Sequence, residues 1–510
     1  MLAFGDRRIG GMPMSKEVLL AIDQGTSSSR TIGFSATGEM LAVEQQAFEQ
    51  IYPASGWVEH DAEVIWATVL STARSVLQRL TEEGRATAAI GITNQRETTV
   101  LWDRKSGAPI HHAIVWQDRR TADRCAALKS AHPGAEAELS RKTGLLFDPY
   151  FSATKIAWIL DSVPGARAAA KAGRIAFGTI DSFLLWRLTG GRVHATDATN
   201  ASRTALYDLR KGCWDEALCE LFDVPLACLP EVRDCAGDFG EVDRDVLGET
   251  LPIRGVAGDQ QAALIGQACF AAGEVKSTYG TGAFLVLNTA HELVVSKNRL
   301  LGTVAYRLNG ESTFALEGSI LSAGSAIQWL RDGLGLISRA QDIEALAASV
   351  QDSAGVYLVP AFTGLGAPYW DPDARAALIG LTRASSRAEI ARATLDSVVY
   401  QTLDLLEAMA ADGLEPALLK VDGGMAMNDL FMQRLADVLG VAIQRPKITE
   451  STAFGAACLA GLGCGIYRSL QDIAQLAKPD ARFEPRPYAA RAADIAGWRA
   501  ALARVRSGSA

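Results

Sequence analysis

The sequence has no uninterrupted apolar run near the roughly 18 residues that a membrane-crossing helix needs, so no membrane span is expected. Its eight cysteines form no C-x-x-C pair, and its six histidines show no ligand spacing. A structural zinc site is therefore not expected, and the thiols read as small core residues of a reduced, cytoplasmic protein. Positive charge is not in excess either. Fifty Lys and Arg face 58 Asp and Glu, a net charge of −8. That argues against nucleic acid or an anionic membrane as a partner. An anionic substrate must then be drawn in by local cations. The G-x-x-x-x-G-K-[ST] pattern of P-loop enzymes is missing. Residues Met1 to Met14 carry Arg7 and Arg8 but no apolar segment or cleavage site of a signal peptide. Residues 1–16 read as a short leader. No low-complexity linker or short repeat interrupts the rest.

The 510 residues, 48% of them hydrophobic and 21% charged, suit an ordinary globular protein of at least two domains. An apolar run, Val18 to Ile22, leads into Asp23-Gln24-Gly25-Thr26-Ser27-Ser28-Ser29-Arg30 and then a second run, Thr31 to Phe34. That spells strand, polar turn, strand, with a third strand from Met40 to Phe48. Asp61 is a good N-cap for a helix whose apolar stripe runs from Val64 to Leu80. Ala88 to Thr93 is a short buried strand ending on Asn94-Gln95-Arg96-Glu97. Further helices are expected at 121–129, 151–160 and 183–188, and 222–254 reads as a turn-rich peripheral insertion. Near residue 257 the pattern restarts. A strand ends at Gly258, and Asp259-Gln260-Gln261 opens a helix. Val275 to Thr278, Tyr279-Gly280-Thr281-Gly282 and Ala283 to Asn288 again give strand, turn, strand. Gly318 to Leu330 reads as a helix with Gly324 and Gln328 on one face. Leu418 to Val421, Asp422-Gly423-Gly424 and Asn428 to Gly440 read as strand, turn and helix. The halves look like a weak internal duplication, two α/β domains facing a cleft that would hold the site.

Each chemical signal has a plain structural counterpart. Asp, Gly and Ser dominate ordinary hairpin turns. The same glycines, hydroxyls and N–H groups can cradle phosphate, and Asp23 can hold a hydrated divalent cation. Two such turns, at 23–30 and 279–282, could grip a triphosphate from both sides. Gly423-Gly424 would let a nucleoside lie against backbone. Asp259, between a strand end and a helix start, suits an N-cap before it suits a catalytic base. An adjacent Arg96-Glu97 pair is ordinarily a solvated ion pair. At the carboxyl end of a buried strand it can instead bind a polyol, Arg donating and Glu accepting. Trp116, Tyr150 and Phe284 are core residues by default. Trp116 and Tyr150 stand beside polar groups, so they can also line a pocket.

From Val18 to Tyr467 the chain resembles the FGGY carbohydrate kinases, and within them the members that act on glycerol. The resemblance is carried by Ile22-Asp23-Gln24-Gly25-Thr26, by Ile92 to Thr99, by Ala113 to Gln117 and by Asp148 to Ser152. Thr196 to Thr204, Ala257 to Ala262, Thr278 to Gly282 and Pro360 to Pro372 add to it. It implies an α/β fold of two actin-like (ribonuclease-H-like) ATPase domains facing a central cleft, one spanning 17–257 and the other 258–510. It implies ATP-dependent phosphorylation of glycerol to sn-glycerol 3-phosphate, with magnesium, in a cytoplasmic homo-oligomer (dimer or tetramer). Carried over by motif, Asp259 is the base. Arg96, Glu97, Tyr150, Asp259 and Gln260 hold the hydroxyls, with Trp116 and Phe284 on the carbon chain. Thr26, Ser27, Ser28, Arg30 and Thr281 face the phosphates of ATP or ADP. Gly324, Gln328, Gly424 and Asn428 line the nucleotide pocket, and Asp23 organises magnesium through water. One departure is plain. Asp243 to Leu251 is acidic, with a lone Arg244 and a single Gly248, unlike the loop with which some members bind fructose 1,6-bisphosphate. Two other readings compete: a kinase of the same family acting on a pentulose, and an actin-like nucleotide switch without catalysis. The Arg96-Glu97 pair and Gln260 favour glycerol over the first, and the polyol constellation has no place in the second.

Overall fold

The computed structural model describes residues 17–507, so the leader expected at 1–16 lies outside the described residues. The first sheet is built from β1 (Glu17–Gln24), β2 (Ser28–Ser35), β3 (Met40–Ala47), β4 (Ala86–Asn94) and β5 (Ile253–Gly258). Its order is β5-β4-β1-β2-β3. β1, β2 and β3 form an antiparallel meander, and β4 and β5 add in parallel on the other side of β1. The second sheet contains β6 (Val275–Tyr279), β7 (Ala283–Ala290), β8 (Leu301–Leu308), β9 (Glu311–Ile320), β10 (Leu418–Asp422), β11 (Ala442–Pro446) and β12 (Pro479–Phe483). Its order is β8-β9-β7-β6-β10-β11-β12. Here too an antiparallel hairpin leads, and two parallel strands follow on the far side of β6. The strand ending at Gly258 still belongs to the first sheet, and the strand–turn–strand pattern repeats from Val275, so the second sheet repeats the topology of the first, as expected for two α/β lobes of the actin-like kind.

Helix α1 (Ala62–Glu82) starts as expected at Asp61, whose carboxylate accepts from the Glu63 N–H. Its stripe of Ile65, Trp66, Val69, Ala73, Val76 and Leu80 packs on the first sheet. Helix α2 (Ser152–Ser162) lies in a satellite core beside that sheet. Helix α3 (Asp259–Gly266) follows β5, α4 (Arg387–Ala411) and α5 (Asp429–Leu439) cover the second sheet, and α6 (Ser451–Gly463) follows β11. The lobes meet where α3 crosses α6. Although α6 follows a strand of the second sheet, it packs against β1, β4 and β5 of the first. A Cβ on Gly455 would lie 1.8 Å from the Ala262 carbonyl oxygen, and one on Gly266 would lie 2.0 Å from that of Ser451. The helices therefore touch backbone to backbone, and only glycine fits there. The layer between the sheets is filled with small residues, among them Ala21, Ala89, Ala262, Ala453, Ala456, Ala457 and Cys458. No helix among the described residues is long and apolar enough to cross a membrane.

Two local expectations are corrected. Residues 222–254 are not peripheral. Cys235 and Phe239 are fully buried, and the segment runs into β5. Gly318 to Leu330 is not one helix. Gly318 to Ile320 ends β9, and the α-helical turns are Gly324–Gln328. The local sequence suits either state. Pairing with β7 decides it, with Phe284 opposite Ser319 and Ala283 opposite Ile320.

Candidate active site

Three neighbouring parallel strands end at one level. Asp23 is opposite Thr93 in the β1–β4 ladder, and Gly258 is opposite Asn94 in the β4–β5 ladder. The residues at or just past these ends, Asp23, Arg96, Glu97 and Asp259, are therefore brought together by register alone. This is the carboxyl edge of a parallel sheet, where α/β folds hold ligands.

Glu97 adopts φ of 58°, rare for a residue with a Cβ. The Thr98 N–H donates to the Arg96 carbonyl at 2.6 Å across it, closing a three-residue turn. This bend turns successive side chains to different partners, so Arg96 and Glu97 do not pair with each other. Arg96 Nε lies 3.1 Å from Asp259 Oδ1. Its Nη1 donates to Gln261 Oε1 at 3.2 Å and to Glu317 Oε2 at 2.5 Å, and its Nη2 donates to Glu317 Oε1 at 3.1 Å. Glu97 Oε1 instead accepts from Arg203 Nε at 2.6 Å, and Arg203 Nη2 donates to Glu317 Oε1 at 2.9 Å. The result is a chain of alternating charge: Asp259, Arg96, Glu317, Arg203, Glu97. Arg96 and Arg203 are buried, as are Glu97 and Glu317, while the Asp259 side chain keeps 29% exposure.

Neighbouring segments hold these groups. Ser152 Oγ at the start of α2 donates to the Glu97 carbonyl at 2.9 Å, and Lys155 Nζ donates to the Tyr150 carbonyl at 2.7 Å. Asn94 and Asn200 exchange two amide hydrogen bonds of 3.0 Å, and the Gly258 N–H donates to Thr199 Oγ1 at 2.9 Å. The segment around residue 200 thereby ties β4 to β5 and delivers Arg203. Gln260 Oε1 accepts from the buried ammonium of Lys276. Asp259 is the first residue of α3 and Gly258 its cap, so the N-cap role considered for Asp259 falls away.

Burial raises the Asp259 carboxyl, opposed by Arg96 and Lys276 and reinforced by Glu317. Burial also opposes ionisation of Glu317, but the Arg203 and Arg96 guanidiniums outweigh it and hold that carboxyl down to about 2. Glu97 goes the other way. Burial raises it beyond what Arg203 and Arg96 offset. Burial brings Lys276 down to about 8, against the pull of Asp422 and Asp259.

The aromatic residues form a wall across the two lobes. Trp116 lies edge-on to Tyr150 at 5.8 Å and to Phe284 of β7 at 5.9 Å. The Arg96 guanidinium stands 5.9 Å from the Phe284 ring centre. Trp116 Nε1 donates to Thr26 Oγ1 at 3.0 Å, which joins this wall to the first hairpin turn.

The two hairpin turns are as expected. Gly25, Thr26 and Ser27 link β1 to β2, with the Gly25 N–H donating to the Ser28 carbonyl at 2.9 Å. Ser27 is exposed, and Thr26 and Ser28 are half-buried. Gly280-Thr281-Gly282 links β6 to β7 and leaves Thr281 exposed. The short helix Gly324–Gln328 docks on this second turn, its Gly324 N–H donating to the Gly280 carbonyl at 2.9 Å. Gly423 also abuts this hairpin, since a Cβ there would lie 2.4 Å from the Tyr279 carbonyl oxygen. Gly424 has open space before it, and Asn428 caps α5 by accepting from the Phe431 N–H at 2.8 Å. Arg30 is engaged elsewhere than at the turns, in an ion pair with Glu450 just before α6 and a 2.9 Å hydrogen bond to Gln45 Oε1. Asp23 has its carboxyl raised to about 7. Burial is the main cause, Arg30 pulls it down, and Asp259 and Glu450 push it up.

Four residues of the constellation escaped the sequence reading: Glu317, Arg203, Lys276 and Gln261. Each had a signal. Glu317 is a lone carboxylate in the apolar run 314–320, and Lys276 interrupts a buried strand. Unpaired charge in a core strand points to a partner across a site. Arg203 and Gln261 lie inside motifs already singled out, and Gln261 adjoins Gln260.

Residues 18–266 match the N-terminal domain of the FGGY family of carbohydrate kinases, and residues 275–464 match its C-terminal domain. A protein of Ectopseudomonas mendocina named glycerol kinase is 60% identical over 97% of this chain and 100% of its own length. Glycerol kinase 1 of Pseudomonas aeruginosa is 59% identical over 96% of this chain and 99% of its own. The crystal structure of Plasmodium falciparum glycerol kinase with ADP has a TM-score of 0.89 and 36% identity. It covers 96% of this chain and 98% of that one.

Proposed function

The chain belongs to the FGGY family of carbohydrate kinases, and on that premise we propose that it transfers the γ-phosphoryl group of ATP to a terminal hydroxyl of glycerol, giving sn-glycerol 3-phosphate. The observation that carries the reading is the convergence of Arg96, Glu97 and Asp259 at the carboxyl edge of β4 and β5, with Tyr150 beneath the Arg203 guanidinium and Gln260 next to Asp259 on α3. Glycerol offers three hydroxyls and little apolar area, so its binding must come from paired hydrogen bonds. A site built to bond a hydroxyl rejects analogues lacking it by as much as about 10⁴-fold. Trp116 and Phe284 cover the carbon chain and exclude water.

Asp259 is the base. A carboxylate cannot strip a free alcohol of its proton, so it accepts the proton late, as the new phosphorus–oxygen bond forms. The raised Asp259 carboxyl suits that task, since it is a better acceptor than a solvated one. The two turns, with Thr26, Ser27, Ser28 and Thr281, donate to the phosphates, and Arg30 joins them by exchanging Glu450 for an anion. Gly324, Gln328, Gly424 and Asn428 border the nucleotide. The lobe of residues 17–257 supplies most of the polyol site and that of 258–510 most of the nucleotide site.

Asp23 fits a magnesium ion held through water. No three His, Cys, Asp or Glu among the described residues cluster as a metal cage, which leaves phosphates and water as the main ligands. Asp23 is half-buried with too little positive charge around it, and a divalent cation would return it to the ionised form. When bound, the ion screens the phosphate oxygens during transfer. All eight cysteines are free, which suits a cytoplasmic site of action. Assembly as a dimer or tetramer is read from the resemblance and is checked by sedimentation.

The test is a panel of polyols and ketoses with ATP, run on the wild type and Asp259→Asn. Glycerol should be the best acceptor, and the variant should lose about 10²- to 10⁴-fold in kcat with nucleotide binding retained. Faster turnover of a ketopentose would sink the glycerol assignment, and an active Asp259→Asn enzyme would sink the base.

A further inference from the structure

Glu317 is the one carboxylate of the charge chain that the proposed reaction leaves without a task. It stands on β9 in the second sheet, fully buried, yet its partners Arg96 and Arg203 belong to segments beside the first. One of its oxygens receives both guanidiniums and the other receives Arg96 alone. This fixes both ends of the Arg96 fork, so that its Nε is directed at Asp259. Arg203 is held by Glu317 at one end of its fork only, through Nη2, and its Nε donates to Glu97. A buried ion network is a poor way to stabilise a fold, because desolvation offsets most of its attraction. It is a good way to hold a planar fork in one orientation.

We propose that Glu317 is a positioning residue for the polyol: from the second lobe it orients Arg96 directly, and Glu97 through Arg203, so that their remaining polar atoms meet the substrate hydroxyls. The inference rests on the glycerol reading above and extends it. The polyol grip, whose arginine and glutamate come from the first lobe, is complete only with a carboxylate delivered by the second. Glu317 also acts on Asp259 at a distance. The charged groups facing Asp259 are Arg96, Lys276, Glu317 and Asp23, and those facing Glu317 are Arg96, Arg203, Lys276 and Glu97. Removing the Glu317 charge removes one repulsion and frees Arg96 to favour Asp259. Both effects lower the Asp259 carboxyl.

The experiment compares steady-state kinetics of the wild type, E317Q and E317D across pH. E317Q keeps the shape and loses the charge. Its kcat/KM for glycerol should fall about tenfold or more while KM for ATP moves less than about threefold. The acid limb of its kcat/KM profile should move to lower pH, which a loss of packing alone would not produce. E317D should recover part of the loss. Should E317Q fail to fold, R203K, which keeps charge but loses the fork, should show the same selective fall in kcat/KM for glycerol. An E317Q enzyme with wild-type glycerol kinetics and an unmoved acid limb overturns the proposal. So does a uniform loss toward both substrates. A wild-type protein that does not phosphorylate glycerol overturns the reading beneath it instead.

Discussion

Asp23 sits half-buried at the end of β1 with Arg30 as its nearby cation and Asp259 and Glu450 as nearby anions. Its carboxyl is raised from the ordinary 3.8 to about 7. In the nucleotide-free protein the ionised form is therefore disfavoured relative to the unfolded chain. That penalty is absent below the ordinary value, grows as pH rises, and is complete above about 7. Asp23→Asn should accordingly melt above the wild type near about pH 8, and the difference should shrink toward about pH 5. Melting curves of both proteins without nucleotide or magnesium check this, and a gap that widens on acidification would contradict it. Single residues were unevenly legible in the sequence. Asp23, Arg96, Glu97 and Asp259 could be placed together because strand ends are readable and parallel strands align them. The pairing of Arg96 with Glu317 rather than with Glu97 was not readable. It depends on the left-handed turn at Glu97 and on a residue 221 positions from Arg96, and no local pattern carries either.

At the scale of elements, the contact between α3 and α6 is the most demanding. Gly455→Ala would push a methyl group to within 1.8 Å of the Ala262 carbonyl carbon's oxygen, against backbone that cannot rotate away. The expected cost is about 3 kcal/mol or more, read as a lower denaturation midpoint. An unchanged midpoint would mean that the helices can slide apart freely. Amphipathic α1 was legible because one face meets solvent. α6 is apolar all round, buried between two sheets, and offers no stripe to read. The stretch 318–330 was misread for a related reason. Its residues tolerate helix or strand, and the choice is made by hydrogen bonds to β7.

Across the whole molecule, α6 is the element that makes the two lobes interdependent. The first sheet is covered on one face by α1 and on the other by α6, which comes from residues 451–463. A fragment of residues 17–257 would lack that helix and expose Leu19, Ala21, Ala89 and Ala257. Expressed alone, it should aggregate or show no cooperative melting, even though the lobe boundary lies close by. A soluble fragment with a sharp thermal transition would contradict this. The repeated strand order was legible as a duplication of strand, turn, strand. The exchange of the covering helix was not, because sequence order places α6 with the second lobe while packing places it on the first.

The glycine crossing has a further consequence for anyone wishing to redesign this protein. A joint made of carbonyls and α-hydrogens contains no side chain whose size can be traded, so it offers no graded route to a looser or tighter bearing. Mutational libraries aimed at new acceptor alcohols should leave Ala262, Gly266, Ser451 and Gly455 fixed. Diversity is better spent at Trp116, Tyr150 and Phe284, the aromatic wall proposed to cover the acceptor, where a change of volume leaves the helix crossing untouched.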